Sequence, residues 1–300
     1  MSLVPRLVAA LLAVAVPCSV RAQSSAGPTR LVPVILGFPS SVQAAGLAGA
    51  GVALPGYAGA IFVNPAGIAP IRVLSLEAGF SRRPDHSTYA MAAAATRAGK
   101  FNFGLGYRYL RFSADSSTYD NVSWSGAVVY RYGGITLGAG TKYVSVDQRD
   151  GPITRSLAGD FAVQVAFFDI AALAVSAQNL AGTRLSGAGL ELPEALHVGF
   201  SLNLLDTYSN GRLLATVESV WSAGESGRTT FGLEAGAAIS GLGIVGRVGS
   251  GRQPGLAGGL LSPTTFGGSL LLGRARLDYA FQNRSALGRH VHLFGARWTP

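Results

Sequence analysis

Phe101-Asn102-Phe103-Gly104-Leu105-Gly106-Tyr107-Arg108-Tyr109 alternates without a break. Its odd positions are apolar or aromatic, and its even positions are small, polar or charged. Side chains of an extended strand point alternately to opposite faces, so this stretch presents two chemically different surfaces. The pattern recurs along the chain. Val122, Trp124, Gly126, Val128, Tyr130 and Tyr132 oppose Ser123, Ser125, Ala127 and Arg131, with Val129 as an exception. Leu157, Phe161, Val163, Val165 and Phe167 oppose Ser156, Ala158, Asp160, Ala162 and Gln164. Leu196, Val198, Phe200, Leu202 and Leu204 oppose His197, Gly199, Ser201 and Asn203.

Fourteen such segments begin near Val73, Thr88, Phe101, Val122, Ile135, Ser156, Ile170, Ala195, Leu213, Thr230, Leu242, Thr264, Arg274 and His290. Each has room for the roughly 9–11 residues of a tilted membrane strand. Two regularities separate a membrane barrel from a secreted soluble β-protein, which would explain the alternation alone. Within the segments, Glu77, Arg108, Arg131, Lys142, Asp160, Glu218, Glu234, Arg247, Arg274, Arg276 and Asp278 fall mostly on the face shared with small residues, with Arg111 at a strand end as an exception. The opposite face is nearly free of charge, as lipid contact requires: Arg or Lys at mid-depth costs roughly 2–4 kcal/mol. Loop lengths also alternate. Connections at Gly99-Lys100, Gly133-Gly134, Asp169, Gly241 and Gly273 are tight, and those between them are longer, with the turn at Asp206 to Gly211 as an exception. Short turns at one end and long loops at the other are the habit of outer-membrane barrels.

The composition agrees. Charged residues make up 13% of the 300-residue chain, against roughly 25% in an ordinary soluble domain. Gly is 41 of the residues, about twice the usual share of roughly 7%. The formal charge is +9, but the basic residues are scattered, so no nucleic-acid partner is expected. A single Cys excludes a disulfide framework.

Residues 1–22 read as a secretory signal, with Arg6 in the charged lead and a short apolar run from Leu7 to Val16. Residues 23–72 follow, uncharged from Leu31 to Ile71, punctuated by Pro55 and Pro65 and loosened by Gly46, Gly49, Gly51, Gly56 and Gly59. Such a segment makes a poor spanning helix. It suits a hatch inside a barrel lumen, where irregular backbone is tolerated. Residues 73–300 form the barrel, and Glu77, Arg108, Glu218, Glu234 and Arg247 are expected to line its lumen. Two roles are open to them: tying wall to hatch, or forming a charged constriction. Tyr89, Tyr107, Tyr109, Tyr130, Tyr132 and Tyr143 read as an interfacial girdle.

Other motifs carry little. Gly241-Leu242-Gly243-Ile244-Val245-Gly246 fits GxGxxG, but no helix pattern follows it. His290 and His292 share a strand face without an evident third ligand. No nucleophile–base arrangement can be assembled. The expectation is a protein without catalytic residues, metal or cofactor.

Asn64-Pro65-Ala66-Gly67 follows the Gly/Ala-rich lead from Gly46 to Ala53. Gln178-Asn179-Leu180, Gly232-Leu233-Glu234 with Gly246-Arg247, and Leu277 to Phe281 before Leu287 to His290 come in order after it. Together these resemble the FadL-like outer-membrane proteins, especially the PorV/PorQ branch. The resemblance implies a fourteen-stranded antiparallel barrel with an amino-terminal hatch, whose Asn-Pro-Ala motif falls here on Asn64, Pro65 and Ala66, with Gly67 beside it. It implies a bacterial outer-membrane location, with lipid as surroundings and hydrophobic solutes or secreted proteins as partners. FadL-like members admit hydrophobic molecules; PorV/PorQ-like members serve type IX secretion. The chain departs from the pattern at Pro300, where an aromatic is usual, and Trp298 stands in for it. The leading expectation is a passive channel for hydrophobic or small solutes. A secretion-accessory barrel and a structural barrel remain as alternatives.

Overall fold

A computed structural model describes residues 33–83, 86–112, 118–149, 151–168, 170–186, 190–205, 211–223, 227–254, 260–261, 264–283 and 290–300. The signal reading of residues 1–22 lies outside the described residues, as does the start of the segment that follows it.

The strands are β1 (Leu74–Arg82), β2 (Thr88–Ala98), β3 (Phe101–Arg111), β4 (Thr118–Tyr132), β5 (Ile135–Gln148), β6 (Thr154–Phe167), β7 (Ala171–Ser186), β8 (Ala195–Asn203), β9 (Gly211–Ser222), β10 (Arg228–Ile239), β11 (Leu242–Pro254), β12 (Leu260–Leu261), β13 (Thr264–Leu272), β14 (Ala275–Gln282) and β15 (Val291–Trp298). The two-residue β12 is an arm paired to the end of β11. The other fourteen pair antiparallel in chain order. β1 closes on β15 with Leu76 opposite Trp298 and Phe80 opposite Phe294. Trp298 therefore sits inside the closing strand, and Pro300 falls beyond it. Closure removes the unpaired edges that an open sheet would expose. Among the described residues no helix is long and apolar enough to cross a membrane.

Local chemistry explains the strands. In β3, Asn102, Arg108 and Leu110 are buried, while Phe101, Phe103 and Leu105 are 43–57% exposed on the outside. The large apolar side chains face outward and the polar ones inward, the reverse of a soluble sandwich. Tight turns need left-handed backbone, and Gly99, Gly133, Gly241 and Gly273 have φ of +61°, +59°, +83° and +59°. Glycine adopts that region at no steric cost.

Residues 33–72 form no strand. They make 3-10 turns at Val34–Gly37, Ala58–Phe62 and Pro65–Ile68 and one turn of α-helix at Val42–Gly46. Ser41 caps that helix, its Oγ accepting from the Ala44 amide at 2.9 Å. This plug fills the barrel. Ile35, Leu47, Leu54, Tyr57, Ile61, Phe62 and Ile68 are 2% exposed or less and pack in one cluster with the wall residues Tyr89, Met91, Leu110, Val129 and Leu214. Burying a large apolar side chain is worth roughly 1.5–3 kcal/mol, so the plug is tightly held. The wall makes room with glycine: a Cβ at Gly106 would stand 2.5 Å from the Phe62 ring, and one at Gly138 would stand 2.5 Å from the Ala66 amide.

The girdle reading fails at Tyr89. Its ring lies inside the barrel, stacked on Phe38 of the plug with centroids 4.5 Å apart. Its place in the β2 register, between Thr88 and Ala90, turns it to the lumen with Met91 and Ala93.

Candidate functional site

The polar seam between plug and wall holds three glutamates, each on a different strand. Glu218 of β9 is buried, and its Oε2 accepts from the Gly51 and Val52 amides at 2.7 and 2.8 Å. Its Oε1 lies 2.8 Å from Nδ1 of His197 on neighbouring β8. Glu77 of β1 accepts from the Gly59 amide at 3.0 Å and lies 3.6 Å from the guanidinium of Arg297 on β15. Glu234 of β10 accepts from Gln43 Nε2 at 2.9 Å. Carboxylates that accept amide hydrogens make charge-assisted bonds, stronger than neutral ones.

Glu234 also anchors the largest charge cluster. Arg247 on β11 is its register partner and donates to it at 2.6 Å. Arg212 and Arg276 stand 3.2 and 4.0 Å away. Arg247 and Arg276 reach Asp278 at 3.5 and 2.8 Å, and Ser269 bonds the same carboxylate. Apart from the half-exposed Arg212, the cluster is largely buried, and it is nearly balanced in charge, so few of its buried members can be removed cheaply.

The five candidate lumen residues therefore all face inward, but only Glu234 and Arg247 pair with each other. The plug stands between the others. Arg108 illustrates this: its guanidinium carbon lies 4.6 Å from the centre of the Phe62 ring. Such a desolvated cation–π contact is worth up to roughly 2 kcal/mol.

The motif Asn64-Pro65-Ala66-Gly67 forms the last plug turn. Asn64 is fully buried and donates from Nδ2 to the Val52 carbonyl at 2.6 Å and to Gln164 Oε1 of β6 at 2.8 Å. Pro65 starts the Pro65–Ile68 turn, where its fixed φ is already suitable. A Cβ on Gly67 would lie 2.8 Å from that of Ala60, so the turn packs closely on the one before it.

Several anchors gain their partners only in the fold. Lys142 of β5 is buried, pairs with Asp160 at 3.1 Å and donates to Gln178 and Asn179 at 3.2 and 3.0 Å. Gln178 donates in turn to the Phe62 and Val63 carbonyls of the plug. Asn179 has φ +58° at a bulge in β7, where the register with β6 shifts. Asparagine tolerates that region better than most residues. His197, Gln43, Gln164 and Arg297 likewise become visible as partners only in the fold. Gln178 and Asn179 stand in the run Gln178-Asn179-Leu180 that carries part of the family resemblance, and an inward position in an alternating strand is the clue that the other wall residues offer. His290 and His292 lie on the outer surface, where His292 Nδ1 meets the Tyr279 hydroxyl at 2.9 Å. Among the described residues no cluster suited to a metal occurs.

At the short-turn end a cavity of about 140 Å3 lies between the plug and β4–β9. Its lining includes Pro55 and Pro70 from the plug.

No protein-family model matches the chain, and no curated protein matches it. Solved structures do share its fold. The toluene transporter TbuX of Ralstonia pickettii superposes with a TM-score of 0.60 over 88% of this chain and 99% of its own, at 12% identity. The monoaromatic hydrocarbon channel CymD gives 0.59 over 89% and 98%, at 11% identity. A FadL homologue of Pseudomonas aeruginosa gives 0.55 over 86% and 98%, at 11% identity. The likeness is to FadL-type barrels as a fold; it does not single out the PorV/PorQ branch.

Proposed function

We propose that this chain is a bacterial outer-membrane channel for small hydrophobic solutes, gated by its amino-terminal hatch. The observation that carries the reading is how the lumen is closed. Residues 33–72 share no strand with the wall and are held by side-chain hydrogen bonds and apolar contacts. A stopper held that way can shift without breaking the barrel ladder. The outer surface supports a bilayer setting: Leu105, Phe161, Phe231, Ile244 and Phe294 are exposed there, and a contiguous apolar surface of this kind marks a membrane or partner contact. Residues 1–22 would direct the chain across the inner membrane and then be removed. The fold is shared with proteins named as a toluene transporter and a monoaromatic hydrocarbon channel, which makes toluene the first solute to try. Solute enters by the long loops, meets the hatch, and passes when the hatch shifts. The reading is of a channel and not of an enzyme. The secretion-accessory and structural readings have no observation of their own in their favour.

A cross-link tests the gate. A Cβ on Gly295 of β15 would stand 3.3 Å from that of Val42 in the plug, near the 3.5–4.5 Å of a disulfide. With Val42→Cys and Gly295→Cys together, oxidation should stop uptake of labelled toluene into proteoliposomes and reductant should restore it. Uptake that ignores the cross-link would sink the gate. Uptake no faster than through protein-free lipid would sink the channel.

A further inference from the structure

The cavity at the short-turn mouth has two properties that together select a ligand. The first is size. At about 140 Å3 it is close to the roughly 150 Å3 of an apolar cavity that takes up benzene. A single ring fills that volume, and a long acyl chain would extend beyond it. Ile170 and Leu214 in its lining offer such a ring apolar contact.

The second is charge. The lining contains two guanidinium side chains, Arg131 and Arg212, and no Asp or Glu. Arg212 is engaged by Glu234 at 3.2 Å. Arg131 makes no ion pair among the described residues; its Nε donates to the Gly133 carbonyl at 3.0 Å. The guanidinium fork matches a carboxylate geometrically and keeps its charge at any working pH.

We propose that this cavity binds a small aromatic carboxylate of about the size of benzoate, its ring against Ile170 and Leu214 and its carboxylate on Arg131. As a station on a transport path it rests on the channel reading above. Gln164, which lines the cavity, also accepts the hydrogen bond from Asn64 of the plug. An occupant therefore sits one residue from a plug anchor.

The test is equilibrium dialysis of radiolabelled benzoate against the purified full-length barrel in detergent, with benzamide as the neutral isostere. Heat-modifiable migration on gels verifies that each variant is folded. Benzoate is expected to bind about tenfold more tightly than benzamide, and Arg131→Gln to erase that difference, as loss of one charge-assisted bond predicts. Leu214→Phe, which fills the cavity, is expected to abolish binding of both. Equal binding of benzoate and benzamide by the unaltered protein, or benzoate binding that survives both substitutions, overturns the proposal. Toluene uptake without benzoate binding overturns the cavity site and leaves the channel standing. Benzoate binding to a protein that admits no toluene supports the site and overturns the channel.

Discussion

Glu218 of the wall holds Val52 of the plug by the backbone, its Oε2 accepting the Val52 amide at 2.8 Å. The same oxygen takes the Gly51 amide at 2.7 Å, and His197 occupies the other oxygen. Backbone recognition of this kind asks nothing of the plug side chains at those positions, so the carboxylate itself carries the contact.

Glu218→Gln keeps the shape and removes the charge. It should loosen the plug by about 1.5–3 kcal/mol, the worth of hydrogen bonds to a charged group. Planar-bilayer recordings should show more frequent opening than for the unaltered protein. Unchanged recordings would mean that the apolar contacts alone hold the plug.

The wall glycines that face the plug should not accept a methyl group. Gly106→Ala places a Cβ 2.5 Å from the Phe62 ring and should cost about 1–3 kcal/mol, as overpacking does. Gly126→Ala is the control, since the nearest atom to a Cβ there is 3.7 Å away. Urea unfolding in lipid vesicles compares the two.

Charge reversal at Glu234 distinguishes the two roles open to the lumen charges. Glu234→Lys would leave Arg247, Arg212 and Arg276 around a fourth cation, with Asp278 as the remaining acid of the cluster. Breaking a buried pair costs roughly 3–5 kcal/mol, so the expected result is loss of the heat-resistant folded band on gels. A folded barrel with altered ion selectivity would instead favour a constriction.

Asn64→Ala removes two donations, at 2.6 and 2.8 Å, and leaves buried acceptors unsatisfied at a cost of about 1–3 kcal/mol. The plug should become more sensitive to added protease while the barrel core stays resistant. Equal cleavage patterns would remove Asn64 from the list of anchors.

Leu105→Arg tests the membrane setting directly. The side chain is 57% exposed on the outer face of β3. In water a substitution there would cost almost nothing, whereas at the bilayer midplane Arg costs about 2–4 kcal/mol. Unfolding from vesicles should show the larger figure.

The alternation at Phe101 to Tyr109 was enough to set strand, face and environment, because side-chain direction in a strand depends only on the parity of the position. The same local rule located all fourteen barrel strands to within four residues at their starts, with Thr118 as the widest difference from the expected Val122. Glycines at the tight turns were legible too, since the left-handed backbone there is a property of one or two residues. What the lumen charges touch was not legible. Glu77 meets Arg297 only because the barrel closes β1 on β15, and Glu218 meets Gly51 and Val52 only because an irregular segment threads the interior. Tyr89 reads like its fellow tyrosines until its register is fixed. The cavity gathers side chains from six strands and the plug. Periodicity acts within a strand, while ion pairs, cavity walls and plug contacts join residues far apart in the chain, and only closure around the plug brings those residues together.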